Sequence, residues 1–246
     1  QGKRLKRSDT KPNFGQLSKG TVMKVLIFGA SGMVGQGVLR ECLTAQDVHQ
    51  VVTAGRTPLA QTHPKLQQLI LADLMQLDTH AHELQGVDAC FFCLGVSSSG
   101  MTEDAYAQVT HTLTLHVARL LAQLNPNMTF TYVSGTGTDS SEQGASMWAR
   151  IKGKTENDLQ KLPFQSVYLF RPGLIQPLDG IQSKTPLYQW FYRVTNPFLS
   201  LIRRFAPNAI VTTADVGQAM LNAARQNKGR VVVEAKDIIA LAQRQG

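Results

Sequence analysis

Three glycines at intervals of three, Gly29, Gly32 and Gly35, stand between the apolar run Val25-Leu26-Ile27-Phe28 and the helically periodic stretch Gly37-Val38-Leu39-Arg40-Glu41-Cys42-Leu43. Glycine in the first place allows a tight turn out of a strand. In the second it lets backbone approach a phosphate closely, and in the third it lets the helix pack hard against the strand. The helix that follows offers unpaired N–H groups and the positive end of its dipole to an anion. Ser31 adds a hydroxyl donor, and Ala30, Met33 and Val34 complete a turn suited to main-chain recognition of a diphosphate. A glycine-rich turn that binds nothing is the alternative; the strand before it and the amphipathic helix after it are the context that the binding reading requires.

The second apolar run ends Val52-Thr53-Ala54-Gly55-Arg56-Thr57. About 20 positions beyond such a glycine turn, an acidic residue receives the ribose hydroxyls of NAD. Here no carboxylate is present, and Arg56 offers a guanidinium able to hold a 2′-phosphate bidentately and to stack on adenine. The pair of observations predicts NADP(H) as the cofactor, against the alternative of a solvated loop arginine. Further along, Asp73 and Leu74 follow a third run, and Asp73 is positioned either to accept from the adenine amino group or to cap a helix. Leu94 and Gly95 end a fourth, where backbone must pass near the cofactor ribose.

Other chemistries find little support. Cys42, Cys90 and Cys93 give no disulfide framework. Cys90-x-x-Cys93 lies in an apolar run that reads as a strand, in which positions three apart face opposite ways. His111 and His116 are five apart, a poor spacing for shared metal ligation, and His49, His63, His80 and His82 fall at strand edges or in loops. There is no Gly-x-Ser-x-Gly elbow, no His-Glu-x-x-His and no acidic cluster, so hydrolase and metalloenzyme readings lack a basis.

These residues need a scaffold, and the pattern supplies one. Short apolar runs at 24–28, 48–54, 69–72, 89–94, 129–133, 167–170 and 231–233 alternate with helical stretches near 33–44, 103–124, 147–162, 214–226 and 236–243. Such alternation predicts an α/β, Rossmann-like, doubly wound parallel sheet with a small C-terminal helical portion over the cofactor cleft. The expected organisation is one NAD(P)-binding domain over 23–246, with 174–210 as a substrate-side lid. That lid holds the aromatic and cationic stretch 186–207, in which Pro197 breaks any long helix.

The 246 residues are 43% hydrophobic and 17% charged, ordinary for a globular domain, and carry a net charge of +8. Residues 1–22 hold six basic side chains against Asp9 alone, so the leader contributes +5 of that charge and the remainder is nearly balanced. A loose basic leader reads as a solvated tail or start-site extension, with Met23 as a natural start, rather than as a folded nucleic-acid surface. No run approaches the roughly 20 apolar residues of a membrane span, and no secretory signal is present. A cytoplasmic protein, monomeric or homodimeric, acting on a small molecule with neither nucleic acid nor membrane as partner, is the expectation.

Taken in order, Gly29 to Gly35, Gly55-Arg56, Tyr132-Val133-Ser134-Gly135, Lys152-Gly153-Lys154-Thr155-Glu156, Arg171-Pro172-Gly173-Leu174 and Asp215 to Met220 resemble the atypical short-chain dehydrogenase/reductase superfamily. The likeness is strongest to the Tat-interactive oxidoreductase-like and NmrA-like groups and runs from Met23 to the C-terminus. It implies that Pro172 and Gly173 flank the cofactor and that reduction uses a Ser, a Tyr and a Lys in Tyr-x-x-x-Lys spacing, the tyrosine handling the proton. Ser134 matches the serine, to polarise a substrate oxygen, and Lys152 the lysine, to order the ribose. Trp148 stands where the tyrosine belongs, and an indole N–H is not a usable acid.

No other tyrosine precedes a lysine by four. The proton must come from Ser134 assisted by Lys152, from water, from the substrate itself, or from Tyr188 or Tyr192 in the lid. Two functions therefore follow: an NADP(H)-dependent oxidoreductase on a small carbonyl or hydroxyl compound, or a non-catalytic NADP(H)-sensing regulatory or interaction protein.

Overall fold

Continuous apolar runs, with apolar side chains on both faces of each inner strand, require helices above and below a parallel sheet. The computed structural model describes residues 22–178, 210–226 and 229–244. Within them β1 (Met23–Phe28), β2 (Val48–Gly55), β3 (Leu66–Ile70), β4 (Ala89–Phe92), β5 (Thr129–Val133), β6 (Ser166–Arg171) and β9 (Arg230–Glu234) form one sheet. All pairings are parallel, in the order β3-β2-β1-β4-β5-β6-β9. This is the doubly wound Rossmann-like arrangement, and strand order reverses between β1 and β4, where such sheets open a crevice at their carboxyl ends.

On one face, α1 (Met33–Thr44), α5 (Thr213–Gln226) and α6 (Ala235–Ala242) bury Val25, Ile27, Phe91 and Phe170. On the other, α3 (Leu113–Leu124) and α4 (Met147–Leu159) cover Leu26, Phe28, Phe92, Phe130 and Tyr132. The rings of Phe28, Phe92, Phe130 and Phe164 follow one another across that second face at centroid spacings of 5.3, 6.0 and 4.9 Å. Cys90 faces this core and Cys93 the opposite one, as the strand period requires. Burial raises all three thiols, Cys93 to about 12, which leaves them without thiolate chemistry at neutral pH.

α1 and α5 touch through small residues. A Cβ on Gly37 would stand 2.8 Å from Thr213 Cβ, and one on Gly217 would stand 3.0 Å from the Gly37 carbonyl oxygen. Arg225 at the end of α5 pairs with Asp47 ahead of β2 through two 2.7 Å bonds.

Several boundaries differ from the sequence reading. β3 runs over Leu66–Ile70 rather than 69–72, because it is an edge strand whose Gln67 and Gln68 serve polar partners and mask the apolar signal. β4 stops at Phe92, and the chain beyond it bends under Gly29. The long helix expected over 103–124 is broken into α2 (Glu103–Ala107), a π turn at Gln108–Thr112, and α3. The break falls in the sequence Val109-Thr110-His111-Thr112, where β-branched residues crowd a regular turn. A second, two-stranded parallel sheet, β7 (Leu174–Gln176) with β8 (Ile210–Thr212), follows β6 and was not foreseen, since three-residue strands leave no periodicity to read. Residues 1–21 of the leader and 179–209 of the expected lid, with Tyr188 and Tyr192, lie outside the described residues.

Candidate functional site

Gly29 leaves β1 with φ +75°, a conformation that disfavours any side chain, and a Cβ there would stand 2.8 Å from the backbone of Cys93 and Leu94. The turn closes with Gly32 N–H donating to the Gly29 carbonyl at 2.9 Å, and Gln36 Nε2 steadies it from within α1 by donating to Ser31 O at 3.1 Å. Gly32 is the N-cap of α1 and supplies no side chain, and the first turn of the helix carries no acidic residue. The N–H groups of Met33, Val34 and Gly35 therefore have no intrahelical acceptor and meet no carboxylate. At the third glycine, a Cβ would collide with the Gly29 carbonyl, so the helix is packed onto the turn as closely as backbone permits.

Beside this turn lies a cavity of about 420 Å³. Gly29, Ala30 and Ser31 form one wall, Thr53, Ala54 and Gly55 the end of β2, and Arg56 with Thr57 the rim; Leu59, Ile70, Leu74 and Leu94 make the apolar remainder. Arg56 is exposed and makes no ion pair or hydrogen bond with another described residue. An uncapped helix start, a glycine turn and an apolar slot together fit the diphosphate and adenine of a nicotinamide dinucleotide, with a guanidinium at the rim. Thr53, Thr57, Leu59 and Ile70 were not singled out from sequence; their only signal was proximity to the end of a strand.

Other predicted cofactor contacts are placed less directly. Asp73 is exposed, and its Oδ1 accepts from Met75 N at 2.9 Å, capping the 3₁₀ helix Leu74–His80. Gly95 is exposed with open space beside it. Pro172 is buried, its carbonyl accepting from Thr136 N at 3.1 Å, and Gly173 is exposed.

Two strands over, β5 and α4 bring Ser134, Trp148 and Lys152 to the same carboxyl edge of the sheet. Lys152 Nζ donates to Ser134 O at 2.9 Å and to Val133 O at 3.3 Å, and lies 5.6 Å from the centroid of the Tyr132 ring. Burial lowers its pKa to about 8, with Glu156 one turn further along α4 opposing the shift. The Trp148 indole lies against the loop after β5, its ring atoms 3.9 and 3.5 Å from where Cβ atoms on Gly135 and Gly137 would stand. Tyr106, Tyr132 and Tyr168, the three described tyrosines, are all buried in the core. Burial pushes the Tyr106 and Tyr132 phenols upward, away from acid chemistry.

Ser134 is buried, and its hydroxyl lies 2.5 Å from Glu156 Oε1 and 3.2 Å from the Phe170 carbonyl. A hydroxyl has one proton, and both acceptors within reach belong to the protein interior. Glu156 in turn is held by Arg171, whose Nε and Nη2 both reach its carboxylate; Arg171 Nη1 lies 3.3 Å from Glu234, and Nη2 donates to Ser140 at 2.7 Å. The side chain of Glu156 is 1% exposed and that of Arg171 13%. Sequence reasoning assigned no role to either. The available signals were a glutamate four residues after Lys152 on one helix face, and an arginine closing β6.

Among the described residues no cluster of His, Cys, Asp or Glu could hold a metal, and no helix is long and apolar enough to cross a membrane.

Comparison with known proteins agrees with this geometry. Residues 25–152 match the model of the NAD dependent epimerase/dehydratase family. The HTATIP2 protein of Rattus norvegicus is 30% identical over 201 residues, covering 80% of this chain and 79% of the rat protein. A mitochondrial fmp52-1 protein of Aspergillus oryzae is 28% identical over 155 residues, 61% of this chain and 64% of the fungal one. Among solved structures, the Bordetella bronchiseptica enzyme WbmF in complex with NAD+ superposes with TM-score 0.64 at 18% identity, covering 92% of this chain and 78% of that one. An oxidoreductase of the short-chain dehydrogenase/reductase family from Burkholderia thailandensis superposes with TM-score 0.61 at 19% identity, covering 88% and 93%.

Proposed function

The chain belongs to the NAD-dependent epimerase/dehydratase family, and from that premise we propose that it is an NADP(H)-dependent oxidoreductase acting on a small carbonyl or hydroxyl compound. The observation that carries the cofactor reading is the free guanidinium of Arg56 on the rim of the cavity, at the end of a β2 that offers no carboxylate. In this proposal Gly29, Ala30, Ser31 and Gly32 with the first turn of α1 hold the diphosphate. Arg56 grips the 2′-phosphate, and Leu74 and Leu94 flank the adenosine half. When bound, the nicotinamide supplies or takes up hydride. A cytoplasmic location is part of the proposal, and recovery of the protein in a mitochondrial fraction would replace it.

Arg56→Ala is expected to weaken NADPH binding about 10- to 100-fold, the loss of a charge-assisted contact worth about 1.5–3 kcal/mol, while changing NADH affinity by less than about threefold. Titration calorimetry with both dinucleotides tests this, and equal losses would overturn the NADP assignment.

A second reading, a dinucleotide sensor without turnover, is favoured by one observation: Trp148 occupies the position of the expected acid, and the Ser134 hydroxyl is engaged with Glu156 and Phe170. Wild-type protein that binds NADPH yet oxidises it with no member of an aldehyde and ketone panel would establish the sensor in place of the enzyme.

A further inference from the structure

We propose that Lys152 is the proton carrier of this site, its ammonium giving a proton directly to the oxygen of an aldehyde or ketone substrate, in the place that a tyrosine phenol would otherwise fill. The inference rests on the reductase reading above. Its ground is the way the amine is held. An ammonium has three N–H donors; two reach the carbonyls of Val133 and Ser134, and the third has no partner among the described residues. A neutral amine has two N–H donors and one lone pair, so after transfer both carbonyls remain served and the lone pair takes the vacated direction. The mount accepts either protonation state without rearrangement.

Among the described residues, the other candidates at this edge are occupied or chemically unfit. The Ser134 hydroxyl has Glu156 and Phe170 as acceptors, Trp148 presents only an indole, and Tyr106, Tyr132 and Tyr168 lie in the core. Among the described residues the charge acting on Lys152 is that of Glu156 from α4 itself, neutralised in turn by Arg171 from β6. β5 contributes the Tyr132 ring and two carbonyl dipoles, which favour the cation. Burial works the other way and brings the amine to about 8, in the range useful for a general acid.

The step balances simply. Hydride from the reduced nicotinamide dinucleotide reaches the carbonyl carbon; an N–H bond of Lys152 breaks as an O–H bond forms on the product alcohol; and the neutral amine recovers a proton from water. Reduction requires the ammonium, so its rate should be level below pH 8 and fall tenfold per unit above it. Oxidation of the alcohol requires the neutral amine, so its rate should rise with pH and level off above 8.

Two measurements test the assignment. In protein labelled with 13C-lysine, the resonance missing from Lys152→Met should titrate with a midpoint near 8, whereas a midpoint above 10 overturns the proposal. Lys152→Arg keeps the charge and the donors but does not titrate in this range. At saturating NADPH it should lose at least 100-fold in aldehyde-dependent NADPH oxidation. Turnover retained in Lys152→Arg, with the limb near pH 8 still present, reduces Lys152 to a ribose-holding role and overturns the proton assignment alone. NADPH binding by wild type with no turnover on any aldehyde or ketone overturns the reductase reading, and the proton role with it.

Discussion

Gly35→Ala is expected to abolish dinucleotide binding at concentrations that saturate the wild type, a loss of at least 100-fold, and to lower the melting temperature at the same time. The added methyl meets the Gly29 carbonyl oxygen outright, and it would lie 2.7 Å from the Gly29 carbonyl carbon and 2.8 Å from Ala30 Cα. All three are main-chain atoms, so no rotamer relieves the clash; turn and helix must separate. Overpacking of this kind costs about 1–3 kcal/mol or more in stability. The greater effect falls on function, because the displaced atoms belong to the loop proposed above to hold the diphosphate. Thermal unfolding and calorimetry with NADPH measure both. Gly95→Ala is the matching control, since its methyl enters open space and should leave the melting temperature unchanged. A Gly35→Ala protein that binds NADPH normally would show that the close packing of α1 on β1 does not shape the site.

Arg171→Met is expected to destabilise the fold by about 3–5 kcal/mol at pH 7, the usual consequence of removing one partner from a buried ion pair. Glu156 would be left 1% exposed, without its bidentate partner and with the Ser134 hydroxyl and the nearby Lys152 ammonium to stabilise its charge. The double variant Glu156→Gln, Arg171→Met removes the orphaned charge and should lose clearly less than the sum of the two single changes. Urea unfolding of the four proteins at pH 7 measures the coupling. Additive losses would mean that the pair acts as two independent groups.

The parts legible from sequence were those fixed by local chemistry. Glycine spacing between a strand and a helix declares the tight strand-to-helix turn, because only glycine satisfies the positive φ at Gly29 and the near contact at Gly35. Continuous apolar runs declared the inner strands, which are buried on both faces. Edge strand β3 was misregistered, because half its partners are solvent and polar side chains. Asp73 had two open readings, adenine acceptor or helix cap, and geometry shows it capping; no one-dimensional pattern separates the two. Ser134 shows the limit best. Its place after β5 was read correctly, but the direction of its hydroxyl depends on Glu156, 22 residues later, and on Phe170, on the neighbouring strand. Glu156 and Arg171 were visible only as members of a recurring string of residues, because an ion pair between a helix and a strand end is a property of packing.

The near contact of α1 with α5 ties the beginning of the fold to its end. Val38, Leu39 and Cys42 are buried against a cluster that includes Val216, Ala219 and Met220, and Asp47 is clasped by Arg225. During synthesis the helix that carries the nucleotide turn therefore emerges from the ribosome long before its cover does. A nascent chain halted short of residue 213 lacks that cover, and the greasy flank of α1 then stands open to water.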